Sequence, residues 1–182
     1  MGVFFSKREY GFSHPKLVVA SAKRFWSWQM KSQHSAEPVN LVDLVQQETL
    51  AMGRTDANPQ GTLERLIQIA AQLQPRDFET LMAMALNISR GGDERFLATY
   101  LMSLSRQDWA APLLKVVALT PLPDQKLDAR LYDQEVMIRA QALEGLAHSN
   151  QGRDHLTDFL RHQDNVSLAQ HAQRLLRSPA AD

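Results

Sequence analysis

Three side chains on one short stretch, His155, Asp158 and His162, have the types and the spacing to hold a metal ion or pass a proton. On a helix, positions i, i+3 and i+7 share a face, so two imidazoles and a carboxylate would converge. The same stretch sets Leu156, Phe159 and Leu160 on the other side, which makes the polar trio the solvent face of an amphipathic helix. No His-Glu-x-x-His pair occurs, and a further ligand would have to come from His148 or His171. We expect neither a metal nor a catalytic residue here.

Other reactive patterns have simpler explanations. Asp77 and Asp108 each precede an aromatic residue and could pair as acid and base, yet capping a helix accounts for both. Gly91 and Gly92 follow a helical pattern, not a strand, and lack the Lys and Ser/Thr of a phosphate-cradling loop. No Gly-x-Ser-x-Gly turn supplies a nucleophilic serine. The absence of cysteine removes disulfides, thiolate metal sites and thiol nucleophiles together. Met82 and Met84 read as core filling. The chain is expected to be no enzyme, with no cofactor and no small-molecule substrate.

The strongest local signal is charge. Residues 1–36 hold six basic residues against Glu9 alone, a net of +5, and the remaining fourteen basic and nineteen acidic residues give −5. The same arm carries Phe4, Phe5, Tyr10, Phe12, Phe25, Trp26 and Trp28, seven of thirteen aromatics. Placing Lys16 to Lys31 about 100° apart on a helix gathers Leu17, Val18, Val19, Ala22, Phe25, Trp26, Trp28 and Met30 on one arc. Lys16, Lys23, Arg24 and Lys31 fall together on the remainder, and Lys7 and Arg8 add charge upstream.

Such a segment suits the groove of a partner protein, an anionic membrane surface, or the open end of its own helical body. A protein partner is the expectation carried forward, with the membrane kept as a second option. Nucleic acid fits poorly, since phosphate contacts need clustered cations and the body is acidic. Gly2 and Ser6 also match an acylation pattern, which we read as coincidence.

These residues need elements to position them. At 182 residues, with 44% hydrophobic and 22% charged, the chain can bury a sizeable core. The apolar run Leu17–Ala22 is much shorter than a membrane span, and Lys7, Arg8 and Glu9 break any secretory leader. The expected location is cytoplasmic, or peripheral at a membrane.

From Leu41 onward the apolar spacing is helical. Leu63, Leu66, Ile67, Ala70 and Leu73 form one face, with Thr62 as N-cap and Pro75 as stop. Phe78, Leu81, Met82, Ala85 and Ile88 form the next, capped by Asp77 and ended by Gly91 and Gly92. Phe96, Leu97, Tyr100, Leu101 and Leu104 follow, and Pro112 sits in the first turn of a helix capped by Asp108.

A shift of 31 residues lays Leu66 on Leu97, Ala70 on Leu101, Leu73 on Leu104, Phe78 on Trp109 and Met82 on Leu113. A weaker echo relates Asp133, Val136, Ile138 and Ala142 to Asp164, Val166, Leu168 and Ala172, after a Pro-containing loop over Thr120 to Ala129. Periodicity of this length predicts stacked helix pairs that share an apolar interior.

The run from Asp133, DQEVMIRAQALEGLA, resembles a HEAT-like repeat. Asp133 stands at the acidic cap, Val136 and Arg139 follow, and Ala140, Ala142 and Leu143 lie inside the helix. The resemblance is clearest over 133–177, although the last unit, DNVSLAQHAQRLL, lacks the Arg. It implies a short right-handed α-solenoid of antiparallel helix pairs over 37–182; the spacing of Lys16 to Lys31 separately predicts an N-terminal amphipathic helix in the arm 1–36. The resemblance also implies a curved surface that binds proteins and occasionally nucleic acid. The functional expectation is a non-enzymatic adaptor or complex subunit that docks through its basic, aromatic arm.

Overall fold

Asparagine, proline and aspartate set most of the helix starts among the described residues. The computed structural model describes residues 40–54 and 58–178, all belonging to one unit, Asn40–Asp182. Among them lie eight α-helices, one 3-10 turn and no strand. Helix α1 spans Leu41–Met52, and the Asn40 side chain accepts from the Val42 amide at 3.1 Å. Helix α2 spans Pro59–Gln72, with Asn58 accepting from the Gly61 amide at 3.4 Å. Helix α3 spans Pro75–Leu86, α4 spans Gly92–Leu104, and a 3-10 turn at Asp108–Ala110 leads into α5, Ala111–Leu119. Helix α6, Ala129–Ala147, is the longest; α7 spans Gly152–His162 and α8 Val166–Arg177.

Several expected caps move. Thr62 is buried inside α2, because Pro59, with φ already helical, opens that helix a turn earlier behind Asn58. Asp77 lies in the first turn of α3, where its Oδ2 accepts from the Gln74 amide at 2.8 Å. Asp133 is interior to α6; Asp128 caps that helix by accepting from Leu131 at 2.8 Å. Gly91 and Gly92 begin α4 instead of ending α3, which stops at Leu86. Pro112 does sit in the first turn of α5, and the loop ends where α6 begins at Ala129.

Packing follows two series. Helices α2, α4, α6 and α8 touch in succession, as do α1, α3, α5 and α7, and α3–α4, α5–α6 and α7–α8 pack across. Each member of the first series buries two apolar side chains one turn apart: Leu66 and Ala70, Leu97 and Leu101, Ile138 and Ala142, Leu168 and Ala172. Phe78, Leu81 and Ala85 of α3, Leu114 and Ala118 of α5, and Leu156 and Phe159 of α7 complete one core. Each large aliphatic chain removed from water contributes about 1.5–3 kcal/mol.

The edge of the α2 pattern departs from expectation, since Leu63 and Ile67 are 42% and 48% exposed. They flank the stripe of Leu66 and Ala70, and no described helix covers that side. Gly145 lets α6 approach its neighbours: a β-carbon there would lie 2.6 Å from Ser103 Cβ and 2.8 Å from Leu114 Cδ1. Among the described residues, no helix is long and apolar enough to cross a membrane.

Candidate functional site

Three charged side chains lie inside the apolar core. Arg95, Glu135 and Arg139 are 2%, 3% and 2% exposed. Arg95 stands in the first turn of α4, one helical face with Ala98 and Met102. Glu135 and Arg139 are one turn apart on α6, in line with Ile138, Ala142 and Leu146. Packing of α4 against α6 therefore brings the two guanidinium groups to opposite oxygens of one carboxylate: Arg95 Nη2 meets Glu135 Oε1, and Arg139 Nη1 meets Oε2.

Backbone carbonyls take most of the remaining donors. Arg139 Nε donates to Thr120 O at 2.6 Å, Nη2 to Pro121 O at 2.8 Å and Nη1 to Glu135 O at 2.9 Å. The first two of these bonds tie the irregular loop after α5 onto α6. Arg95 Nε donates to Ala85 O at 2.9 Å, which satisfies a carbonyl in the last turn of α3. Arg95 Nη1 is buried with no hydrogen-bond partner among the described residues.

The cluster forms one wall of a cleft of about 190 Å³, whose apolar lining includes Leu86, Ile88, Leu122 and Leu131. A guanidinium does not release its proton in a protein, so two of them offer fixed positive charge and directed donors, not acid–base chemistry. The arrangement can clamp helices and can receive an anion.

The thirteen residues expected to bind a partner or membrane, Phe4, Phe5, Lys7, Arg8, Tyr10, Phe12, Lys16, Lys23, Arg24, Phe25, Trp26, Trp28 and Lys31, lie outside the described residues. The His155–Asp158–His162 trio lies on α7, opposite buried Leu156 and Phe159. Asp158 is occupied there. Lys115 of α5 pairs with it at 2.5 Å, and a hydrogen bond from that ammonium holds its carboxyl below the ordinary value of 3.8. His162 Nδ1 lies 2.9 Å from the Asp158 carbonyl. Asp77 and Asp108 do not meet as a carboxylate pair; Asp108 instead accepts from the Asn150 side-chain amide at 2.6 Å, bridging to the loop before α7.

Of the buried cluster, only Arg139 belongs to the HEAT-like pattern of the sequence. The sequence signal of Arg95 and Glu135 is positional: each continues the apolar stripe of its helix, at i−3 from Ala98 and from Ile138. A charge on a core-facing position needs a partner, and Glu135 to Arg139 at i, i+4 supplies one locally.

The fold and cleft define an all-helical protein with a buried ion cluster at a helix–helix junction. No family model matches the chain, and neither the curated proteins nor the solved structures contain a match to it.

Proposed function

We propose that the chain is a non-enzymatic adaptor or structural subunit, a short HEAT-like α-solenoid that docks onto a partner protein through its basic, aromatic arm. The observation that carries this reading is the division of the sequence into a segment of +5 bearing seven aromatics and a remainder of −5. Opposite charge on two parts of one chain gives each its own preferred surface. Support for the solenoid comes from the contacts between alternate helices and from the recurrence of a buried pair one turn apart in α2, α4, α6 and α8. Units that rely on neighbours to cover their apolar faces yield extended surfaces suited to protein partners.

The test compares the full chain with a variant in which Lys16, Lys23, Arg24 and Lys31 are all replaced by Glu. Proteins co-purifying with each are identified by mass spectrometry, and circular dichroism checks the fold. Loss of a specific partner at unchanged helicity is the expected result; an unchanged set of partners removes the arm from the proposal. Sedimentation with phosphatidylserine vesicles reads out the membrane option, which becomes the better one if only the wild-type chain pellets and no protein partner is lost.

A further inference from the structure

Among the described residues Arg106 alone has a positive φ, at 52°. It follows the end of α4, where a chain leaving a helix commonly passes through the left-handed region and glycine, with no β-carbon, is the residue of least strain. An arginine held in that conformation points to a use for its side chain. Arg106 lines a cleft of about 310 Å³ bounded by the ends of α6 and α8 and the start of α7.

Arg153, in the first turn of α7, lines the same cleft. Both arginines are exposed, and neither guanidinium makes a hydrogen bond or an ion pair among the described residues. The one carboxylate in the described lining, Glu144, has another neighbour: its Oε1 lies 3.2 Å from His171 Nε2. His148 donates from Nδ1 to the Glu144 carbonyl at 2.7 Å, which leaves its Nε2 for a ligand. Residues 37–182 carry a net of −5, so two open guanidinium groups in one cleft run against the general charge of the body. The wall also includes apolar side chains, Leu156 buried and Leu175 and Leu176 half-buried.

We propose that this cleft binds a phosphate monoester of an apolar group, with Arg106 and Arg153 holding the phosphate and Leu156, Leu175 and Leu176 receiving the ester group. One guanidinium fork saturates the two oxygens of a carboxylate. A phosphate monoester offers three terminal oxygens and close to two charges, enough for two forks arriving from different elements. About 310 Å³ stands at the lower end of the roughly 300–1,000 Å³ of small-molecule clefts, so the ester group is about the size of one aromatic ring. The site belongs to the body and is independent of the arm.

Two sources present this chemistry: a free phosphate ester and a phosphorylated tyrosine side chain. The test titrates the full chain by calorimetry with phenyl phosphate, with phenylacetate and with N-acetyl-phosphotyrosine amide. Phenyl phosphate should bind, and phenylacetate, which carries the same ring on a carboxylate, at least about tenfold more weakly. Affinity for the tyrosine derivative at least about tenfold above that for phenyl phosphate assigns the cleft to a modified protein chain; a smaller difference, or none, assigns it to free esters. Arg106→Gly separates binding from folding, because it removes the guanidinium and at the same time relieves the left-handed backbone. Its thermal midpoint should hold or rise while affinity for phenyl phosphate falls at least about tenfold, and Arg153→Gln should lose as much at unchanged helicity. No binding of phenyl phosphate at millimolar concentration, equal binding of phenylacetate, or unchanged affinity in either arginine variant would each overturn the proposal.

Discussion

Phe78 and Trp109, equivalent positions 31 residues apart in the sequence, meet edge to face with ring centroids 4.1 Å apart. Phe78 is fully buried on α3, and Trp109 lies in the 3-10 turn that opens α5. The spacing that relates the two residues thus also joins them, since α3 and α5 are consecutive members of one packing series. Aromatic pairs in this arrangement are worth about 0.5–1.5 kcal/mol beyond the area they bury. A double-mutant cycle of Phe78→Leu and Trp109→Leu, read by urea denaturation, should show coupling of that size. Strict additivity would mean that the rings do not touch in solution.

The buried cluster should punish partial removal. Glu135→Ala leaves two guanidinium groups in the core without their counter-ion, and about 3–5 kcal/mol of stability is expected to be lost. Replacing all three with Arg95→Met, Glu135→Leu and Arg139→Met removes the charges together and should cost far less. Denaturant midpoints decide the point: a loss under about 1 kcal/mol for Glu135→Ala would show that water reaches the cluster.

Gly145→Ala tests how closely α6 approaches α4 and α5. Alanine favours an isolated helix over glycine by about 1 kcal/mol. Here its β-carbon would collide with Ser103 and Leu114, so a net destabilisation of about 1–3 kcal/mol is expected. Gly91→Ala has nothing within 4 Å of the added carbon and serves as the tolerated comparison. Equal thermal midpoints for the two variants would contradict the packing.

The Lys115–Asp158 bridge between α5 and α7 predicts a pH dependence. The hydrogen bond from Lys115, with its charge, favours ionised Asp158 in the folded chain, so the folded carboxyl titrates below its ordinary 3.8. The contribution to stability is therefore full above the unfolded value and is lost as pH falls through the lower, folded one. In Lys115→Ala, the Asp158 carboxyl should titrate closer to 3.8 by carbon-detected NMR. An unmoved titration point would mean that the bridge does not persist.

Much of the helical body was readable from residue order. Leu66 and Leu97, or Ala142 and Ala172, match in the sequence alone, because a buried stripe requires apolar side chains at 3.6-residue spacing whatever covers it. Helix starts were less legible. Thr62, Asp77 and Asp133 were all credible caps, but Asn58 with Pro59, Gln74 with Pro75, and Asp128 compete for the same role, and local type alone does not rank them.

Residue order by itself determined that the body is helical, that its apolar faces recur, and that charge and aromatics concentrate in residues 1–36. These follow from side-chain chemistry and from contacts within a few residues. Only the tertiary structure decided that Arg95 joins Glu135 and Arg139, which stand 40 and 44 positions further along the chain. That meeting depends on the length of the loop after α5 and on the distance at which Gly145 lets α6 settle. Neither quantity is written in the periodicity of a single helix, because burial sets which face turns inward but not which neighbour it finds there.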